Sequence, residues 1–172
     1  MNKVKLFISD IDGTLTDSTV YYSSRGEELK QFSHRDGMGF YLLHTNSKIK
    51  VFLFTSEYGG INQARGDKLL KLCTIERYID GNYKADKLTI LKELCIEFNC
   101  DLSEIAYIGD DVNDLECLKV AGFPACPWDA HQAILDIPNI YVTENNGGEG
   151  SVRNFIDYLL ENDMVYRGLN DN

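Results

Sequence analysis

Val4-Lys5-Leu6-Phe7-Ile8-Ser9-Asp10-Ile11-Asp12-Gly13-Thr14 starts as a β-rich apolar run, turns polar at Ser9-Asp10 and ends at a glycine where the chain can turn. An apolar run that does not alternate suits a strand buried on both faces, as in a parallel sheet. The same design recurs downstream. Val51 to Phe54 ends in Thr55-Ser56, and Ile105 to Ile108 ends in Gly109-Asp110-Asp111. Phe123 to Cys126 and Ile140 to Val142 read as shorter strands. Between the strands, Leu88, Leu91, Leu94, Cys95 and Phe98 recur at helical spacing, as do Val152, Phe155, Ile156, Leu159 and Leu160 after a Gly-rich turn. Strands alternating with helices predict an α/β fold with a doubly wound parallel sheet.

Residues 16–36 depart from this rhythm. Val20-Tyr21-Tyr22, then Ser23-Ser24-Arg25-Gly26, then Leu29 to Phe32, predict a β-hairpin projecting from the sheet. Residues 1–160 are expected to form one domain, and the polar tail 161–172 is expected to fray. A net charge of -10, from 27 acids against 17 bases, repels nucleic acid and anionic membranes, so neither is an expected partner. No apolar run is long enough to span a bilayer and no signal-peptide pattern opens the chain, so a cytoplasmic protein is the expectation. The five cysteines, Cys73, Cys95, Cys100, Cys117 and Cys126, form no C-x-x-C and read as small apolar residues. His34, His44 and His131 show no ligand spacing, and Trp128 suits core or interface.

In open parallel sheets, ligands gather beyond the carboxyl ends of the strands. Here three of those ends carry acid or hydroxyl: Asp10 and Asp12, Thr55, and Asp110, Asp111 and Asp114. Carboxylates converging on one edge repel each other unless a cation sits among them, and oxygen-only ligands favour magnesium over zinc. Singly these features are ordinary. D-x-D is often a solvated turn, and a G-D-D may only cap a helix. Their order along the chain, each at a strand end, is what points to an active site.

With those residues placed, the chain resembles the haloacid dehalogenase superfamily. Asp10-Ile11-Asp12-Gly13-Thr14 is similar to its first motif, Thr55 to its second, and Gly109-Asp110-Asp111-Val112-Asn113-Asp114 to its fourth. The third motif is a lysine, placed at Lys87 with Lys84 as the alternative. The resemblance implies a magnesium-dependent phosphatase in which Asp10 is the nucleophile and Asp12 the general acid and base. Thr55 and Lys87 would hold phosphoryl oxygens. Magnesium would be bound by Asp10, the Asp12 backbone carbonyl and Asp110. Asp111 and Asp114 would orient the lysine or metal-bound water, although Asp114 could equally be a helix-start carboxylate.

Too little chain separates the motifs to hold a cap domain, which resembles the capless sugar-acid phosphatases of that superfamily. Gly26-Glu27 with Lys30, Arg35-Asp36-Gly37-Met38-Gly39 and Gly147 to Arg153 fit the same group. That resemblance implies a homotetramer assembled through the hairpins, with a neighbouring subunit covering the site. After Thr55 this chain carries Ser56-Glu57 rather than Gly-Arg or Gly-Lys, followed by Arg65 and Lys68. Glu57, Arg65 and Lys68 are expected to bind substrate. By resemblance they favour a nine-carbon acid, 2-keto-3-deoxynononate 9-phosphate or N-acetylneuraminate 9-phosphate. The alternatives are 3-deoxy-manno-octulosonate 8-phosphate, or a non-catalytic oligomerisation module of the kind attached to acylneuraminate cytidylyltransferases.

Overall fold

The computed structural model describes residues 3–72, 74–81 and 86–166. Cys73 and the alternative lysine, Lys84, lie outside the described residues. Strand β1 (Leu6–Asp10) leads into a hairpin of β2 (Tyr21–Ser23) and β3 (Gly26–Leu29). Helix α1 (His34–Asn46), β4 (Lys50–Phe54), α2 (Gly60–Lys71) and β5 (Arg77–Ile79) follow. Then come α3 (Lys87–Glu97), β6 (Ile105–Ile108), α4 (Leu115–Val120), β7 (Phe123–Cys126), α5 (Gln132–Leu135), β8 (Tyr141–Val142) and α6 (Ser151–Glu161).

Six strands form one parallel sheet in the order β5-β4-β1-β6-β7-β8. The chain winds outward from β1 to β5, then crosses back to β6 and winds the other way. β1 therefore sits at the switch point, where the loops of the two half-sheets diverge and leave a crevice. Every residue of β1 is buried, including Ser9 and Asp10, which belong to the strand and not to the turn after it. The two faces carry separate cores. Phe7, Phe40, Leu43, Leu69, Phe155 and Ile156 fill one, under α1, α2 and α6. Ile8, Phe54, Leu91, Leu94, Leu118 and Ile134 fill the other, under α3, α4 and α5. The doubly wound sheet and the projecting hairpin are as the sequence predicts. Between β1 and β4 lie only the hairpin and α1, so among the described residues nothing forms a cap domain.

Three local differences have physical causes. β5 lacks a predicted strand because it is short and mixes Arg77 with apolar residues at the sheet edge. α1 begins at His34 inside the span assigned to the hairpin, because the Ser33 hydroxyl accepts the Arg35 N–H and caps the helix. Of the tail expected to fray, residues 161–166 do not simply fray, and residues 167–172 lie outside the described residues. Val4 N–H donates to the Met164 carbonyl at 2.8 Å and Val165 is buried beside Val4, which ties residues 164–165 to the sheet. Cys117 and Cys126 are buried and Cys95 and Cys100 half-buried, all as free thiols, while Trp128 is exposed and lies outside the core. No helix is long and apolar enough to cross a membrane, among the described residues.

Phe7 packs on Phe40 and Phe155 at ring separations of 6.2 and 5.6 Å, joining β1 to α1 and α6. Phe7→Ala should lower unfolding stability by about 3–5 kcal/mol in urea titrations. Ile96→Ala, at a site 83% exposed, should stay within about 0.5 kcal/mol of the parent.

Candidate active site

Four elements deliver their ends to one crevice. β1 presents Asp10, β4 presents Thr55, the turn after β6 presents Asp110 to Asp114, and the first turn of α3 presents Lys87. The cleft that results, about 330 Å³, is lined by Asp10, Asp12, Thr55, Glu57, Asp110 and Asp111. Two glycines make the close approach possible. Gly13 has φ of +91°, and a Cβ there would fall 1.9 Å from the Asp110 carboxylate. A Cβ on Gly109 would fall 2.4 Å from the Asp114 carboxyl carbon. Both positions need glycine because a carboxylate occupies the space a side chain would take.

Asp10, Asp110 and Asp114 bring carboxylate oxygens within 4.8 Å of one another. Lys87, nearly buried, donates to Asp10 and to Asp114 Oδ1, the latter at 2.7 Å. The Tyr107 hydroxyl donates to the same Asp114 oxygen at 2.6 Å, and the Thr14 hydroxyl to Asp110 Oδ1 at 3.0 Å. Burial, then the charge of Asp114, holds the Asp10 carboxyl well above the usual carboxylate range, with Lys87 pulling the other way. Burial and Asp114 push Asp110 up to about 7. Burial works against the Lys87 ammonium, but Asp10 and Asp114 outweigh it and raise its pKa. The cluster therefore holds three carboxylates against one ammonium, and Asp114 Oδ2 is buried without a partner. An all-oxygen donor set with excess buried negative charge fits a hard divalent cation. Of the expected metal residues, Asp10 and Asp110 come together and Asp12 lines the same cleft. Asp114 acts as the partner of the lysine. Asp111 is exposed at the cleft mouth and accepts the Val112 N–H.

Asp12 is held on one side by three donors. Lys30 Nζ reaches Oδ1 at 2.8 Å, while Thr55 Oγ1 and Asn62 Nδ2 reach Oδ2 at 3.0 and 2.7 Å. Lys30 comes from the end of the hairpin, its side chain is shielded from solvent, and it also donates to Glu57 at 2.6 Å. Burial works against that ammonium, and the Asp12 and Glu57 carboxylates more than offset it. Thr55 also accepts the Glu57 N–H at 3.0 Å, which fixes the turn after β4.

Arg65 and Lys68 do not line this cleft. They line a second one of about 360 Å³ beneath the hairpin, with Leu29, Phe32 and Ile61, and Lys30 stands between the two. The Arg65 guanidinium lies 5.6 Å from the Phe32 ring, and burial lowers its pKa. Asp36, buried at the start of α1, accepts the Arg153 N–H at 2.9 Å, and burial raises its pKa to about 6. Asn62 and Tyr107 had no signal in the sequence, since an asparagine in a helix and a tyrosine in a strand are ordinary there. In the sequence Lys30 stands only as a hairpin residue that fits the capless group, without a role.

The pattern of the haloacid dehalogenase-like hydrolases matches residues 81–156. The 3-deoxy-D-manno-octulosonate 8-phosphate phosphatase of Yersinia pestis is 35% identical over 157 residues, covering 91% of this chain and 80% of that protein. The solved structure of the Moraxella catarrhalis phosphatase of the same name, in complex with magnesium, phosphate and the eight-carbon acid KDO, superposes with a TM-score of 0.82. It is 33% identical and covers 92% of this chain and 86% of that one. N-acylneuraminate cytidylyltransferase A of Danio rerio is 31% identical over 91% of this chain, which spans 35% of that enzyme. With the motifs in order, the capless sheet and relatives matched along nearly its whole length, the chain belongs to the haloacid dehalogenase superfamily, in the group of capless sugar-acid phosphatases.

Proposed function

We propose that the chain is a magnesium-dependent phosphatase that removes a terminal phosphate from a 2-keto-3-deoxy sugar acid, with 3-deoxy-D-manno-octulosonate 8-phosphate as the leading substrate. The observation that carries this is the buried Asp10 beside Lys87 at the switch point, with Asp12 and Thr55 on the rim of the same cleft. The sequence favours a nine-carbon substrate, but two findings reverse that order. The phosphatases matching most of the chain are named for the eight-carbon substrate, and Arg65 and Lys68 lie outside the phosphate cleft of their own chain. The nine-carbon acids remain a second reading because Glu57 lines the cleft, where sugar hydroxyls would pass. A non-catalytic module would have no use for the full set of Asp10, Asp12, Lys87 and Asp110.

In the proposed reaction an Asp10 oxygen attacks phosphorus as the ester P–O bond breaks, and Asp12 gives its proton to the departing sugar oxygen. Water then attacks the aspartyl phosphate, Asp12 takes the water proton, and the bond to Asp10 breaks. Thr55 and Lys87 hold the non-bridging oxygens while charge spreads over them. Asp10 and Asp110, with the Asp12 carbonyl, would hold magnesium, whose charge lets the Asp10 carboxylate meet a phosphate dianion. Asp114 and Tyr107 keep Lys87 in place. A homotetramer formed through the hairpins belongs to the same proposal, supported by Tyr21, Tyr22 and Leu29, all more than 60% exposed on that hairpin.

Asp10→Asn should abolish magnesium-dependent phosphate release while circular dichroism stays that of the parent. For the parent, a panel of eight- and nine-carbon keto-acid phosphates should give the highest kcat/KM on the eight-carbon ester. A nine-carbon preference of tenfold or more would restore the second reading.

Asp110 tests the cation site through stability. With its folded pKa near 7 against an unfolded value near 4, the folded state binds the extra proton between those pH values. Its contribution to stability therefore falls as pH rises through that window, and the penalty is complete above pH 7. In metal-free protein, Asp110→Asn should stabilise by on the order of 2 kcal/mol at pH 8 and by little at pH 4. The variant should also lose most of the rise in Tm that magnesium gives the parent.

Replacing Tyr21 and Leu29 together by serine should shift sedimentation from tetramer to smaller species. A monomeric parent at assay concentration would refute the assembly.

A further inference from the structure

We infer that Asn62 is a positioning residue for Asp12, a role that rests on the phosphatase reading and refines it. Asn62 lies in the first turn of α2 and is fully buried. A carboxylate only accepts, so the amide must present its nitrogen to Asp12, and Nδ2 lies 2.7 Å from Oδ2. The same nitrogen is 3.4 Å from Thr55 Oγ1. The amide oxygen faces away, buried and without a partner. A buried amide with one end unpaired weakens the fold, so stability does not account for asparagine here. Its one firm contact is to the side chain that must move a proton.

Thr55 shows why such a contact is needed. Its hydroxyl has one hydrogen, which points at Asp12, while the oxygen accepts from Glu57 N–H. Once a phosphoryl group enters, that hydrogen is required by a phosphoryl oxygen and Asp12 loses it. Lys30 holds only the other oxygen, Oδ1. Asn62 is then the group that keeps Oδ2, and with it the rotamer of Asp12, fixed through the protonation of the leaving oxygen and the activation of water.

The experiment compares the parent with Asn62→Leu and Asn62→Ala on 3-deoxy-D-manno-octulosonate 8-phosphate and on 4-nitrophenyl phosphate. An alkoxide leaving group needs the acid and a nitrophenolate does not, and kcat/KM reports only the steps up to transfer onto Asp10. Both variants should lose roughly ten- to a hundredfold in kcat/KM on the sugar ester. On the aryl ester kcat/KM should stay within about twofold, because the step it reports does not use the acid. On that ester kcat should fall and a burst of nitrophenolate appear, since breakdown of the aspartyl phosphate still needs Asp12. The Leu variant should keep or exceed the parental Tm. Equal losses on both esters, no loss on either, or a collapse of Tm in both variants would each overturn the inference. A parent that hydrolyses neither ester would instead refute the phosphatase reading, which separates the two failures.

Discussion

The contact of Lys87 with Asp10 and Asp114 is the point on which the site turns, because it joins three parts of the chain through side chains that are all buried. A charge there is tolerated only if paired, and removing one partner of such a set commonly costs about 3–5 kcal/mol. The need to satisfy it accounts for much of the local design. Tyr107 shares the Asp114 oxygen, Asp86 caps the helix that carries Lys87, and Gly109 leaves room for the Asp114 carboxyl. One ammonium does not balance three carboxylates. The surplus makes the crevice receptive to a divalent cation and, with it, to a phosphate that this acidic protein would otherwise repel.

Around that fixed core the second carboxylate, Asp12, is held by groups from elements that differ in rigidity. Thr55 follows the interior strand β4 and Asn62 lies in α2, whereas Lys30 follows a two-stranded hairpin outside the main sheet. The placement of the hairpin thus bears on the acid directly, through one ion pair that also engages Glu57. Shielding of Lys30 strengthens that link relative to an exposed pair, which is worth at most about 1 kcal/mol. A hairpin anchored by neighbouring subunits would fix Lys30 as well, and the proposed assembly would then be mechanically connected to the proposed proton transfer.

The fold was legible because its strongest signals are local. Continuous apolar runs mark strands buried on both faces, and β1 ends in, and β4 and β6 lead straight into, polar residues that an apolar run does not call for. Asp10, Asp110 and Thr55 stand out for the same cause, whereas Lys87, at the start of a helix, is marked only by the family resemblance. What the sequence could not show depends on three-dimensional proximity. Asn62 meets Asp12 only because the start of α2, which follows β4, lies beside the end of the neighbouring strand β1, and Tyr107 meets Asp114 only because a turn brings the chain around. The same gap runs the other way for Arg65 and Lys68. Their helical spacing is real, but the face they occupy looks beneath the hairpin and not into the crevice.

The parallel order of the sheet also sets how the molecule must come together. Leu6 in β1 pairs with Lys50 on one side and with Ile105 on the other, so the central strand has no hydrogen-bonding partner close to it in sequence. Long loops must close before those pairings reward the chain, which makes such sheets slow to form and leaves the strand edges open meanwhile. Leu6 to Ile8 is apolar and β-prone, the composition that associates wrongly when exposed. During that interval the charged and polar residues on either side, Lys3, Lys5, Asp10 and Asp12, keep the segment in solution. The acids proposed for chemistry in the finished site thereby also suit the place of gatekeepers against aggregation, before any site exists.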